Sequence, residues 1–293
     1  MQKLLSHKII NNWNLFWLLS IPMSINIFMV MLQHNMSNPE EVSEMIGYSV
    51  RWAVPFIFIV TAASAVQILF ANEFTRWWLK NRKYIGMCFA VAMAWQGSFI
   101  LIISTVFRDY YFEDVYLLRN EIEGSLGYIL LGVMVITSFK TGSKFVTTKQ
   151  WKLVQKTGLY FLWAYAYSVY WWNLYYYKNP ELLDHLFYWL GFTVFALRIL
   201  AWGKKRLNNI NYTTHSMTTI TGGSIVLLGL AVAALGLHWR HLVTPVLLSP
   251  QWSADLELWM PYWPFEPFFS FFLIGIGVTV SYTHLTLPTK RIV

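Results

Sequence analysis

Histidine is the side chain of this sequence with the widest chemical range, since imidazole binds metal ions and transfers protons near neutral pH. Of the seven histidines, only His238 and His241 have a useful spacing, because residues three apart on a helix share a face and can bind one metal ion. No third ligand is evident beside them, and the intervening Trp239 and Arg240 are typical of a membrane interface. The other histidines lie near segment ends, in loops or in terminal segments. The histidines therefore predict no metal site.

Ionisable and polar groups inside apolar segments are the next candidates, because membrane proteins keep charges there only where function needs them. No Asp, Glu, Lys or His lies clearly at the middle of an apolar segment, which argues against a proton-coupled transporter or pump. Arg51 and Arg198 each lie within about two turns of a helix end, from which a long side chain can reach the interface. Gln96 and Gln155 are amides in apolar segments, and a buried amide is costly unless it is hydrogen-bonded. We expect both glutamines to bond across a helix bundle.

The segments that must position these residues are strongly hydrophobic. Hydrophobic residues make up 56% of the 293 residues and charged residues only 12%, whereas a soluble domain carries roughly 25% charged residues. The apolar residues come in long blocks, most of which reach the roughly 20 residues that a helix needs to cross a bilayer. Unpaired strands cannot face lipid, and no block alternates as a transmembrane barrel would. The sequence predicts an all-α integral membrane protein. The predicted spans are 13–33, 48–71, 84–107, 125–139, 155–177, 185–202, 220–238 and 265–280.

The basic residues predict the orientation of these spans. Apart from the last dozen residues, 15 basic residues lie in one set of alternate loops with Glu73 as its only acid, whereas the other set holds five basic and 13 acidic residues. Because cytoplasmic loops carry the excess of Lys and Arg, the first set is predicted to be cytoplasmic, and both termini with it. Topology thus explains the net charge of +8, and no nucleic-acid partner is predicted. We expect a multi-pass protein of a bacterial-type cytoplasmic (inner) membrane, with the lipid bilayer as its first partner.

Three parts are expected along the chain. Residues 1–207 are predicted to form a six-helix unit with short loops, and residues 208–280 a polar linker and an appendix of two further helices. The stretch SYTHLTLPTKRIV, at 281–293, resembles a translated sequencing adapter and is expected to be a non-native tail. The predicted architecture is therefore a six-helix transmembrane bundle plus two appended transmembrane helices, with the N-terminus cytoplasmic.

Several stretches between residues 47 and 206 share a family pattern. NRKYIGMCFAVAMAWQ (81–96) opens a helix with a basic turn and a glycine, and LGYILLGVMVITSF (126–139) ends in Thr-Ser-Phe. They are followed by KQWKLVQKTGLYFLWAYAYSVYW (149–171) and by ALRILAWGKKR at the end of the sixth span. In this order they resemble the ferric-reductase-like transmembrane family, and they are similar to haem-binding membrane subunits of bacterial periplasmic methionine-sulfoxide repair systems. The resemblance implies an electron-transfer bundle that holds b-type haem and has a periplasmic or cytoplasmic redox partner subunit.

The chain departs from that family at the haem ligands, which the resemblance implies to be histidines. The matching positions carry Gln96, Gln155 and Ser168. A Gln amide is a poor axial ligand, since haem iron is well served by His, Cys, Met or Tyr. We therefore predict no cofactor: haem b would be the family expectation, and these three residues mark its ligand positions without being expected to ligate. The nearby tyrosines, which we expect to pack rather than to bind iron, are Tyr160, Tyr165, Tyr167 and Tyr170.

Three functions are compatible with this pattern. The first is a haem-less member of the family that acts as a membrane anchor or partner-binding subunit. The second is a transmembrane electron-transfer subunit with an unusual haem or quinone site, in which Gln96 and Gln155 belong to a remodelled pocket; such a chain would be a subunit of a membrane oxidoreductase rather than a complete enzyme. The third is a small-molecule transporter, suggested only by the eight spans, since central charges and paired broken helices are missing. We favour the first.

Overall fold

The computed structural model of the protein describes residues 5–176, 179–208, 216–236, 238–239, 242 and 268–283. These residues contain eight long helices and no strand, which confirms the all-α class. Each predicted span overlaps one of these helices, although its bounds differ. The linker at 209–215, most of the loop at 239–264 and the tail residues 284–293 lie outside the described residues. The helices are α1 (Asn12–Gln33), α2 (Pro39–Leu69), α3 (Glu73–Val106), α4 (Leu118–Thr137), α5 (Thr148–Tyr176), α6 (Leu182–Asn208), α7 (Ser216–Ala234) and α8 (Phe268–Thr283).

Polar caps start α2 and α3 well before the apolar spans predicted for them. At α2, the Asn38 side chain accepts a hydrogen bond from the Glu40 backbone N–H at 3.1 Å. At α3, a capping box joins Asn72 and Thr75, whose backbone N–H donates to Asn72 Oδ1 at 2.9 Å. Such caps satisfy backbone N–H groups that have no partner inside the helix. The two helices therefore extend beyond the hydrophobic stretches that the sequence marks.

Four helices are long and apolar enough to cross a membrane by length and composition: α1, α2, α3 and the part of α6 from Leu182 to Lys205. α7 and α8 contain shorter apolar stretches, Thr218–Ala234 and Phe269–Ser281. Large apolar side chains lie on the outer surface, where Ile25 is 57% exposed and Leu101 is 63% exposed. Exposed apolar surface on long apolar helices is typical of a lipid-facing bundle. The chain is a membrane-embedded helical protein.

The helix α2 lies at the centre of the bundle. It packs against α3, α5 and α6, while α1 lies against α3. Small residues permit this close packing: Ala53 and Ala63 on α2 are at most 1% exposed. α4 packs mainly against α5 and meets α3 at only a few positions. The sparse contact between α3 and α4 leaves space for a cavity between these helices.

Contacts bring the predicted cytoplasmic segments together at one end of the bundle, which we call the basic end. The Asn81 amide donates to Asn11 Oδ1 at 3.0 Å, which ties the start of the chain to α3. Lys204 Nζ donates to the Leu69 carbonyl oxygen at 3.0 Å, which ties the end of α6 to the end of α2. The turn between α2 and α3 and the C-terminal end of α6 therefore lie beside the N-terminal segment.

The opposite end carries the ion pairs of the described residues. Arg51 and Glu181 are 3.6 Å apart, and His34 and Glu44 are 3.5 Å apart. Arg51 and Glu181 are both more than half exposed, so their pair contributes little to stability, and His34 forms an ion pair with Glu44 only when it is protonated. The separation of this mixed-charge end from the basic end agrees with the charge count of the sequence.

Stacked rings fill the contact between α5 and α6. The Trp163 ring lies 4.7 Å from Phe195 and 5.2 Å from Tyr167, nearly parallel to both, and Tyr167 lies 5.4 Å from Tyr188. The Trp163 indole N–H donates to the Gly191 carbonyl oxygen at 3.2 Å. Tyr167 and Tyr188 are each 1% exposed. Aromatic side chains of this size bury large areas and prefer such offset stacks, so they hold the two helices together.

Glycines bring α7 and α8 together. A Cβ added at Gly222 would lie 2.6 Å from the Gly277 carbonyl oxygen, and one added at Gly277 would lie 2.6 Å from the Gly222 carbonyl oxygen. A Cβ at Gly229 would lie 3.0 Å from the Ser270 carbonyl oxygen. Backbones approach this closely only where side chains are absent, as at many transmembrane helix interfaces.

Phe271 of α8 joins this helix pair to the rest of the bundle. Its ring lies 4.5 Å from Phe195, 5.2 Å from Phe192 and 6.1 Å from Trp163. The Phe271 ring therefore belongs to the same aromatic cluster as the rings of α5 and α6.

Candidate functional site

Gln96, the first position that matches a family haem ligand, faces α4. The Tyr128 hydroxyl lies 3.0 Å from Gln96 Oε1 and 3.1 Å from the Met93 carbonyl oxygen, so its single proton is shared between two acceptors on α3. This confirms the expected bond across the bundle. It is also one of the few points where α3 and α4 meet, so Gln96 helps to hold these two helices together.

Gln155, the second position, closes the C-terminal end of α4. Its Nε2 lies 3.0 Å from the Met134 carbonyl oxygen, 3.3 Å from Thr137 Oγ1 and 3.4 Å from Ser138 Oγ. The Trp151 indole N–H donates to the Thr137 carbonyl oxygen at 3.1 Å. The last carbonyl groups of a helix lack partners within it, and the side chains of α5 supply them here. The expected bond across the bundle is confirmed for this glutamine as well.

Ser168, the third position, bonds within its own helix. Its hydroxyl donates to the Tyr165 carbonyl oxygen at 2.7 Å, a common arrangement for serine in a helix. Thirteen residues separate it from Gln155 along α5, which is about 20 Å of helix. Gln96 contacts Tyr128, and Gln155 contacts the last turn of α4. The structure therefore brings no two of the three predicted positions into contact.

These donors do not fit a haem. The amides of Gln96 and Gln155 and the hydroxyl of Ser168 are engaged in hydrogen bonds to the protein. Stacked rings occupy the contact of α5 with α6, so Tyr167 and Tyr170, whose ring lies 4.9 Å from Phe187, belong to the packed core. Haem iron is held by His, Cys, Met or Tyr side chains, and none of the three matching positions carries one of these residues.

Arg198 is the residue whose role sequence reasoning missed. The sequence places it near a helix end, from which the side chain can reach water. In the structure it turns into the bundle: Nε donates to the Tyr160 hydroxyl at 2.6 Å, and Nη1 to the Thr61 carbonyl oxygen at 2.9 Å and to Ser64 Oγ at 3.1 Å. The guanidinium also lies 4.6 Å from the Tyr160 ring. Arg198 thus links α2, α5 and α6, a contact that no spacing along the chain reveals.

A cavity of about 320 Å³ opens between α2, α3, α4 and α5 at the basic end. Gln155 and Trp151 line one side of it, and Lys80, Arg82 and Lys83 of α3 line the other. The rest of its wall is apolar. Volumes of this size are typical of small-molecule sites, which combine apolar walls with a few polar groups. Of the two glutamines that the second hypothesis places in a pocket, Gln155 lines this cavity and Gln96 does not, because the lining depends on which faces of four helices meet.

A wider cavity of about 800 Å³ lies between α5, α6 and α8. Its charged groups are Lys156 and Arg198, and Phe271 and Phe272 line its α8 side. Arg198 already has three acceptors there, so this cavity offers a ligand less polar recognition than the 320 Å³ cavity does.

The histidine pair of the sequence has no structural outcome, because His241 lies outside the described residues. Within the part of the chain that the structure describes, no three side chains of His, Cys, Asp or Glu group as metal ligands. Compared with known proteins, the chain matches no protein-family model, no curated protein and no solved structure. Function is therefore inferred below from the chain's own residues.

Proposed function

We propose that this chain is a haem-less protein with the ferric-reductase-like helix pattern, which serves as a membrane anchor or partner-binding subunit. The observation that supports the proposal is that the side chains at the three positions matching the family's haem ligands make hydrogen bonds within the protein. Gln96 and Gln155 join α4 to its neighbours and Ser168 bonds to α5. Residues that hold the bundle together in this way favour a scaffold over a redox centre.

The proposed setting is a bacterial-type inner membrane that six helices and an appended pair cross, with the N-terminus in the cytoplasm. The positive-inside rule supports this orientation, and the contacts of Asn11 with Asn81 and of Lys204 with Leu69 support it further, since they gather basic segments at one end. α4 and α5 would be spans in spite of their charged beginnings. Helices in a bundle can carry such charges at the interface.

The basic end offers the chemistry for an acidic partner. In the turn between α4 and α5, Phe145 is 86% exposed, and Lys140, Lys144 and Lys149 are exposed around it. An exposed aromatic ring with basic neighbours is typical of an interaction surface. A photo-crosslinking residue at 145 would capture the partner in cells, whereas one at Leu182, equally exposed at the opposite end, would serve as the control. Equal capture at both positions would argue against a partner at the basic end.

An absorbance spectrum of the protein, purified after gentle extraction, tests the central claim. We expect no Soret band beyond trace haem, and a band at near-stoichiometric haem would refute the proposal. The triple variant Gln96→His, Gln155→His, Ser168→His provides the comparison. Gain of haem by that variant, in a monodisperse preparation, would support the assigned helix pattern, and failure to gain haem would count against the resemblance.

A further inference from the structure

Two arginines at the basic end differ in the number of hydrogen-bond acceptors that contact their guanidinium groups. Arg198 has three hydrogen-bond acceptors. Arg82, half-buried in the wall of the 320 Å³ cavity, has no hydrogen bond or ion pair with any described residue. A partly buried cation without a counter-ion is unfavourable, so the cavity presents a guanidinium that an anion would stabilise.

The rim of the cavity adds two further cations. Lys80 and Lys83 are exposed beside Arg82. Lys83 Nζ donates to the Ser138 carbonyl oxygen and lies 5.1 Å from the Phe139 ring, which fixes the ammonium group over the mouth. An ammonium group has three N–H donors, so two remain for a ligand. Three cations at one mouth match the oxygen atoms of a phosphodiester, which the planar fork of an arginine binds well.

The interior of the cavity is apolar. Ile57, Val60, Phe89, Leu131 and Leu159 form its walls, and each is at most 8% exposed. Such walls favour hydrocarbon over water. A ligand that fits both parts carries a negative headgroup and an apolar chain.

We propose that this cavity binds an acidic phospholipid, with the headgroup phosphate on Arg82 and between Lys80 and Lys83, and with part of an acyl chain among the apolar walls. The surrounding bilayer supplies the ligand, and basic pockets between helices are suited to such headgroups. The lipid would fill the space between α3 and the α4–α5 pair, which touch only sparsely. The site goes beyond the proposed function and does not depend on whether haem is present.

Other ligands match only half of the cavity. A quinone head group is neutral, so it would leave the guanidinium of Arg82 without a counter-ion. Inorganic phosphate would satisfy that charge but leave the apolar walls unfilled. The phospholipid is the occupant that uses both.

Native mass spectrometry of the full chain with added dioleoyl phosphatidylglycerol or dioleoyl phosphatidylcholine tests the site. We expect the anionic lipid to be retained about fivefold more strongly, and Arg82→Gln to remove that preference. The matched control is Arg76→Gln, the same charge change on an exposed residue of α3 outside this cavity. Equal losses in the two variants would overturn the proposal, because they would show attraction to surface charge alone.

Two further measurements distinguish the ligand classes. Leu131→Trp fills the apolar part and leaves the cations in place, so it should weaken phosphatidylglycerol binding; undiminished binding would overturn the assignment of the acyl chain. Displacement of the lipid by millimolar inorganic phosphate would show that the site binds free phosphate and would refute the lipid site. Displacement by a short-chain quinone, to the same extent in the unchanged protein and in Arg82→Gln, would show a quinone site and would refute it as well. If Arg82→Gln does not fold, Arg82→Met, which also removes the charge but keeps a side chain of similar length, replaces it, with Arg76→Met as its control, and a loss of preference confined to position 82 remains the expected result.

Discussion

The α5–α6 contact and the α7–α8 contact are both closely packed, but residues of opposite size produce the packing. In a membrane-embedded helical protein, close packing is a main source of helix association. Between α5 and α6 the packing comes from large rings, with Trp163 between Phe195 and Tyr167. Between α7 and α8 it comes from the absence of side chains at Gly222 and Gly277. The first contact should therefore be sensitive to the loss of atoms and the second to their addition.

The largest effect is expected from Trp163→Ala. Trp163 is 5% exposed and touches rings on α6 and α8, so its removal should lower the free energy of unfolding by about 3–5 kcal/mol. Unfolding in mixed detergent micelles measures the change. Trp202→Ala is the control, because Trp202 is 48% exposed. Equal effects of the two variants would show that the ring stack does not hold α5 to α6.

Gly222→Ala should give the next largest effect. It adds atoms to a contact, whereas Trp163→Ala removes them. The added methyl group would press on the Gly277 carbonyl oxygen, and overpacking of this kind costs about 1–3 kcal/mol. Gly223→Ala makes the same change one residue along, where no atom lies within 4 Å of the new Cβ. Crosslinking between cysteines placed on α7 and α8 reports their separation. A stable, closely paired Gly222→Ala variant would contradict the glycine contact.

Tyr128→Phe should produce a smaller effect, since it removes one hydrogen bond and no packing atoms from the core. Gln96 and the Met93 carbonyl oxygen lose the donor that they share, which should cost about 1 kcal/mol in the same unfolding assay. The Tyr84 hydroxyl makes no hydrogen bond with a described residue, so Tyr84→Phe should change little. An effect as large as that of Trp163→Ala would show that hydrogen bonds, rather than packing, dominate this bundle.

The last prediction concerns Tyr111, which lies outside both contacts, and it is a difference in how stability depends on pH at high pH. Burial, the hydrogen bond to Glu121 and the negative charge of that carboxylate together raise the pKa of Tyr111 to about 12. The folded protein therefore keeps the phenol proton to higher pH than the unfolded chain does. The stability from this group is fully present below pH 10 and is lost as the pH rises to about 12. Tyr111→Phe should lose less stability over that window than the unchanged protein, and parallel curves would contradict the shifted pKa.

Much of the helical framework could be predicted from the sequence, because each apolar block is a local signal. The bonds of Gln96 and Gln155 were also predictable in kind, since a buried amide must find a partner. Their actual partners, Tyr128 and the end of α4, were not. Helix starts at Asn38 and Asn72 were missed because hydropathy marks the lipid-facing stretch and does not mark the polar cap before it.

The residues that define the cavity were not predictable for a different reason. Arg82 reads in the sequence as one of several loop cations, and only the packing of α3 beside α2 and α5 places it in a wall. In the same way, the turn of Arg198 towards Thr61 depends on a contact between residues 137 positions apart. Charge counting assigns such residues to an end of the bundle but not to a face.

Phe271 has a consequence for the order of synthesis. A ribosome completes α5 and α6 before it makes α8, so the rings of Trp163, Phe192 and Phe195 lack their contact with Phe271 until α8 has been made. The aromatic cluster can therefore reach its final packing only after α8 has been synthesised. Helices made early depend on one made later, and the bundle cannot be completed strictly in chain order.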